Sequence, residues 1–229
     1  MRRYPLRVEH YKITKLGDDK FHIDGFPDAV AAISISAIVP ELARELADMA
    51  LHQSDLRFAQ DCLNLLQATP GPKTVREALW QSAIAQYCKC FDEKSKARST
   101  ALKMRKILDA GLARDNHRYF ITLRNKHLAH DENPYAQALP AAVVAPPTKG
   151  YRVEKVVVTT FRTNTLNDAA YGGMSLLVKS ALDWANARFD ELCALITEEL
   201  EKRDYQDLLS QPGITYRAPT FEEFDSPRQ

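Results

Sequence analysis

Apolar and polar positions alternate with period two in two stretches of the chain and recur every three to four residues almost everywhere else. Residues 11–16 and 20–24 alternate around Gly17-Asp18-Asp19, which predicts a hairpin over 9–26. Residues 27–38 are apolar and predict a helix. Pro40 fits the first turn of a longer one, in which Leu42, Leu46, Met49, Leu56, Ala59, Leu63 and Leu66 recur at helical spacing. Thr69-Pro70-Gly71-Pro72 is a break. Thr74 and Glu77 have capping-box spacing and open the next helix, with Val75, Leu79, Ala83 and Cys90 near one face and Gln86 interrupting it. Two more helices are predicted, one over 97–110 ended by Gly111 and one over 113–131. Residues 133–150 are rich in Pro and Ala and read as an irregular linker or arm. Residues 151–160 are β-branched and read as a strand, a candidate third strand for the N-terminal hairpin. Asn167 or Asp168 caps a long helix to about 203, whose stripe is Val178, Leu182, Ala185, Phe189, Leu192, Ile196 and Leu200. The tail, 212–229, is expected to run extended over the surface. The pattern predicts a mainly α fold, an up-and-down helical bundle with a small β-hairpin or three-stranded β embellishment (9–26 and 151–161), as one domain over 1–229.

Composition changes this picture little. The 229 residues are 45% hydrophobic and 27% charged, ordinary values for a globular protein, and the formal net charge is +1. That charge argues against a non-specific DNA binder and leaves room for a local basic cleft. Cys88 and Cys90 are too close for a usual disulfide framework, and Cys62 and Cys193 offer no zinc spacing with them. All four are expected as reduced thiols in a cytoplasmic protein. Neither a membrane-spanning run nor the apolar core of a signal peptide is expected.

The chemistry concentrates in residues 123–133, where Arg124, Asn125, Lys126, His127, His130, Asp131 and Glu132 lie close together. At about 100° per residue, Arg124 and His127 fall inside the apolar arc of the predicted helix and His130 at its edge. A cation on such a face must be paired, or must line a pocket or an interface, because an unpaired buried charge is costly. Arginine binds phosphate through a planar fork and keeps its charge. Histidine moves protons near neutrality. The bland alternative is that Arg124 pairs with an acid such as Glu77 or Asp183 inside a purely structural bundle.

Arg124-Asn125, four residues and then His130 resembles the Arg-polar-x4-His signature of the HEPN superfamily (higher eukaryotes and prokaryotes nucleotide-binding). The wording of residues 124–133 is most similar to its abortive-infection and uncharacterised bacterial branches. The resemblance covers one helix closely and the rest of the chain only in general pattern. It implies a HEPN-like helical domain, commonly a homodimer in which two Arg-His motifs share a cleft. It also implies a metal-independent endoribonuclease of toxin or antiphage systems, with RNA as substrate, no cofactor, and an antitoxin or other protein as a further partner. On that reading Arg124 holds the scissile phosphate, His130 carries a proton, Asn125 positions a phosphate oxygen or His130, and the second proton carrier is His127 or, across a shared cleft, the partner's His130. The family also contains non-catalytic members, so a bundle that binds RNA, a nucleotide or a protein is the alternative.

Lys94, Lys96, Arg98, Lys103, Arg105 and Lys106 precede the motif helix and would, with Lys126, track RNA phosphates, or else form a solvated helix face. His127, His130 and Asp131 have i, i+3 spacing suited to a metal, but the neighbouring arginine disfavours a cation, and no metal is expected. Cys88 and Cys90 have too little basic surrounding to be nucleophiles.

Overall fold

The computed structural model describes residues 13–15, 21–23, 31–68, 70–93, 98–108, 111–130, 134–214 and 220–223. The chain is mainly α-helical with small antiparallel β pieces, as the hydrophobic pattern predicts. It forms two compact units. One comprises Met1–Ser54, Asp92–Leu102 and Leu182–Gln229, and the other Asp55–Phe91 and Lys103–Ala181.

In the first unit, strands β1 (Ile13–Lys15) and β2 (Phe21–Ile23) pair antiparallel with Ile13 opposite Ile23. The turn that joins them lies outside the described residues. Helix α1 (Pro40–Ala68) begins in this unit at the predicted proline. The helix predicted over 27–38 is corrected, as far as it is described. Ile33 forms a β-bridge with Gly213, and Ser34 N–H donates to the Pro212 carbonyl at 2.7 Å. Isoleucines alternating with serines suit extended pairing better than a short helix. Met49, Ala185, Leu192 and Ile196 are buried, the last three on the predicted stripe of α5 (Asp168–Glu201). A short helix, α6 (Tyr205–Leu209), goes beyond the sequence expectation; Asp204 caps it by accepting from Gln206 N–H at 2.8 Å. Residues 221–223 of the tail form a single 3-10 turn.

The second unit holds the motif. Leu56, Ala59, Leu63 and Leu66 of α1 are buried, as are Met174, Leu177, Val178 and Ala181 of α5. Asn167 caps α5, its side-chain oxygen accepting from Ala170 N–H at 2.9 Å. Helix α2 (Lys73–Lys89) follows the Pro-Gly-Pro break, but its N-cap is Pro72 and no side chain caps it, so Thr74 does not form the expected box. Its buried face is Trp80, Ala83, Ile84, Tyr87 and Cys88, while Val75 is exposed. The aromatic residues, not the predicted Val75–Leu79 stripe, set the orientation because they bury the most apolar area. The helix predicted over 97–110 shrinks to one turn, α3 (Met104–Ile107). Gly111, at φ 119°, precedes α4 (Leu112–Leu123), a conformation that strains any residue with a Cβ.

Residues 133–150 are not simply a linker. Ala136–Val144 form strand β3, which pairs antiparallel with β4 (Val153–Arg162), Pro140 opposite Val158. The predicted strand therefore exists but pairs with β3, not with the N-terminal hairpin. Thr163 N–H donates to the Tyr135 carbonyl at 2.8 Å. Alternation from that bond turns the odd residues of β3 toward β4 and the nitrogen of Pro140 away. The proline thus removes no ladder bond, which is why a Pro-containing segment can be an edge strand.

Candidate functional site

Helix α4 is held by its two buried residues, Phe120 and Leu123. Phe120 meets Trp80 edge-on at 5.8 Å, and its carbonyl accepts from the Cys88 thiol at 3.5 Å. Tyr87 hydroxyl lies 2.8 Å from His117 Nδ1. Burial pushes the tyrosine pKa far up, so the hydroxyl stays protonated. Burial also lowers the pKa of the His117 imidazole. These contacts fix α4 on α2 just before the motif.

The motif itself is not α-helical. Arg124–Leu128 form a π-turn, closed by Ala129 N–H donating to the Arg124 carbonyl at 3.0 Å. A π-turn contains one residue more than an α-turn and commonly marks a functional site. The extra residue rotates everything after it by roughly 100° relative to a regular helix. The helical-wheel relation between Arg124 and His130 therefore fails.

Its consequence is visible in a cavity of about 360 Å³. Glu77 and Trp80 of α2 form one wall, and His127 and His130 a second. Ala136, Arg162 and Thr165, at the base of the β3–β4 ribbon, form a third. Trp80 Nε1 donates to Thr165 Oγ1 at 3.0 Å and ties that wall to α2. The His127 ring packs edge-on against Tyr135 at 5.4 Å, and its buried Nδ1 has no hydrogen-bond partner. His130 is exposed at the cavity rim.

The two histidines thus share one site, whereas Arg124 does not line it. Arg124 is half-buried, donates to Asn125 Oδ1 at 2.9 Å, and makes no ion pair with Glu77, whose partner is Lys73 at 3.7 Å. Its charge acts on Cys88, but burial dominates and holds that thiol up at about 12, so Cys88 is protonated and inert. The arginine that lines the cavity is Arg162, which the sequence pattern does not single out. Its only sequence signal is a basic residue ending a β-branched strand.

The basic cluster does not hold together as one helix face. Lys103 precedes α3 and Arg105 and Lys106 lie in it, all exposed, as are Asn125 and Lys126. Arg98 belongs to the other unit and has a structural bond: it donates to His52 Nδ1 at 2.8 Å. His52 Nε2 in turn donates to the Thr100 carbonyl at 2.7 Å. Asp48 accepts from Ser99 Oγ at 2.7 Å and from Thr100 N–H at 2.9 Å. Residues 98–100 are thereby pinned to α1. Lys94, Lys96, Asp131 and Glu132 lie outside the described residues.

Among the described residues no cluster of three His, Cys, Asp or Glu side chains could hold a metal, and no helix is long and apolar enough to cross a membrane. Comparison with protein-family models, curated proteins and solved structures returns no match.

Proposed function

We propose that this protein is a metal-independent endoribonuclease of the HEPN type that its Arg124-Asn125-x4-His130 motif resembles, acting in the cytoplasm as a homodimer, in a toxin or antiphage role. The observation that carries the reading is the convergence of His127 and His130 on one cavity with Arg162 beside them. Two imidazoles are what in-line cleavage of RNA needs. One takes the 2′-hydroxyl proton, the new alkoxide attacks phosphorus, and the 5′-oxygen leaves with a proton from the second. The products are a 2′,3′-cyclic phosphate and a free 5′-hydroxyl. His130, exposed at the rim, is the first proton carrier, and His127, with its unpartnered Nδ1, the second. Arg162 meets the phosphate and opposes the charge that grows on its oxygens.

Arg124 and Asn125 stand on another side of the π-turn. In this reading they serve a cleft completed by a second protomer, as the resemblance implies. The same separation favours a second reading, in which the cavity binds RNA or a nucleotide without turnover. Purified protein incubated with single-stranded RNA and a chelator separates the two. Cleavage is expected to fall at least about 100-fold in His130→Ala, to fall in Arg124→Ala, and to be absent on DNA, which has no 2′-hydroxyl. Cleavage that persists in both variants sinks the nuclease. Binding that Arg124→Ala abolishes, without turnover in the parent, supports the second reading.

A further inference from the structure

The β3–β4 ribbon is almost wholly exposed, yet it occupies a long stretch of chain. Of its two strands only Ala136 and Val157 escape full exposure. At its tip Tyr151 is 49% exposed, and near its base Phe161 is 54% exposed. It carries Lys149, Arg152, Lys155 and Arg162 against a single acid, Glu154, in a chain whose net charge is only +1. Glu154 is already bound by Lys149 at 2.9 Å and by Tyr151 at 3.0 Å. Arg152, Lys155 and Arg162 have no acidic partner among the described residues. The base of the same ribbon is a wall of the histidine cavity, through Ala136 and Arg162.

We propose that the β3–β4 ribbon is an arm that binds single-stranded RNA and leads it to the His127–His130 cavity; the leading, though not the binding, rests on the nuclease reading. Uncompensated cations along an exposed strand supply the phosphate contacts, and aromatic faces at tip and base supply sequence-tolerant stacking. Exposed Val156 and Val158 would suit a second copy of the chain, but apolar side chains alone do not account for three cations that end at a site for phosphate chemistry. Of the 94–106 cluster, Arg98 is committed to His52, while Lys103, Arg105 and Lys106 stay exposed.

The test is anisotropy of a fluorescent oligouridylate titrated with the full chain carrying His130→Ala, in chelator, at several salt concentrations. Arg152→Ala with Lys155→Ala should weaken binding roughly tenfold at low salt and reduce the slope of log affinity against log salt by about 1.4, two phosphate contacts for a single strand. Tyr151→Ala should weaken binding roughly tenfold with the slope unchanged. Absence of RNA binding, or affinity indifferent to all three changes, overturns the arm. So does a dimer seen by sedimentation that Val156→Lys with Val158→Lys splits while RNA affinity stays the same, because the ribbon then serves a second copy. Cleavage by the chain retaining His130 is scored separately. Ribbon-dependent binding with no cleavage keeps the arm and discards the nuclease, whereas cleavage insensitive to the ribbon changes keeps the nuclease and discards the arm.

Discussion

At the scale of single residues, environment decides what each polar group can do. His117 was one histidine of six in the sequence. In the structure its Nδ1 is hydrogen-bonded with the Tyr87 hydroxyl, and burial lowers its pKa. Its neutral form is thus favoured on folding, so its contribution to stability is complete above the unfolded value of about 6.5. That contribution is lost as pH falls through the lowered folded value. Urea midpoints measured from pH 7.5 to 5 should therefore decline, and the decline should be shallower in His117→Gln. Gln53 presents the opposite case. It is 1% exposed, with both amide atoms lacking partners. Such a group forfeits its hydration and gains nothing, so Gln53→Met should raise thermal stability by about 1 kcal/mol, read as a higher Tm. Neither prediction was available from sequence, because burial and partnering are long-range facts.

At the scale of elements, the sequence located helices better than their ends or faces. The stripe of α5 and its Asn167 cap were legible because a long amphipathic repeat averages over local exceptions. Asn167→Ala should cost about 1 kcal/mol, seen as a drop in urea midpoint. Of the predicted α2 face, Ala83 and Cys90 are buried but Val75 is exposed, and the large buried side chains are Trp80 and Tyr87. Phe120, which packs on that face, should cost about 3–5 kcal/mol when changed to Ala in the same assay. Strand β3 was hidden by Pro140, whose harmless orientation depends on a register that only pairing fixes. The π-turn was equally hidden, because no residue type marks it. Deleting Lys126 would restore an α-helical register and rotate His130 away from the cavity. On the nuclease reading that deletion should lower cleavage at least about 100-fold, against a few-fold loss for Lys126→Ala. Equal loss in the two would show that the turn's geometry is immaterial.

For the whole molecule, the expectation of a mainly α fold with a small β embellishment matches the structure, because helical periodicity dominates the chain from Pro40 to Glu201. All four cysteines are free, and Cys62, Cys88 and Cys90 are buried. A thiol reagent should therefore leave these three unmodified in the native protein and titrate all four after unfolding. Rapid native reaction of Cys88 would contradict its protonated, buried state. Charge is arranged locally within a nearly neutral chain, so on the proposal that the ribbon binds RNA, affinity should fall with salt only as steeply as a few contacts require.

The sequence alone determined the helical repeat, a strand over about 151–160 and the crowding of Arg, Asn and His near 124–130, because periodicity and composition are properties of neighbours along the chain. Tertiary structure decided that His127 and His130 share a cavity, that Arg162 rather than Arg124 lines it, and that Arg98 is spent on His52. The first two depend on an extra residue in one helical turn and on the register of a ribbon, the third on how residues 98–100 meet α1. All are settled by packing between segments distant in sequence, where no local pattern reaches.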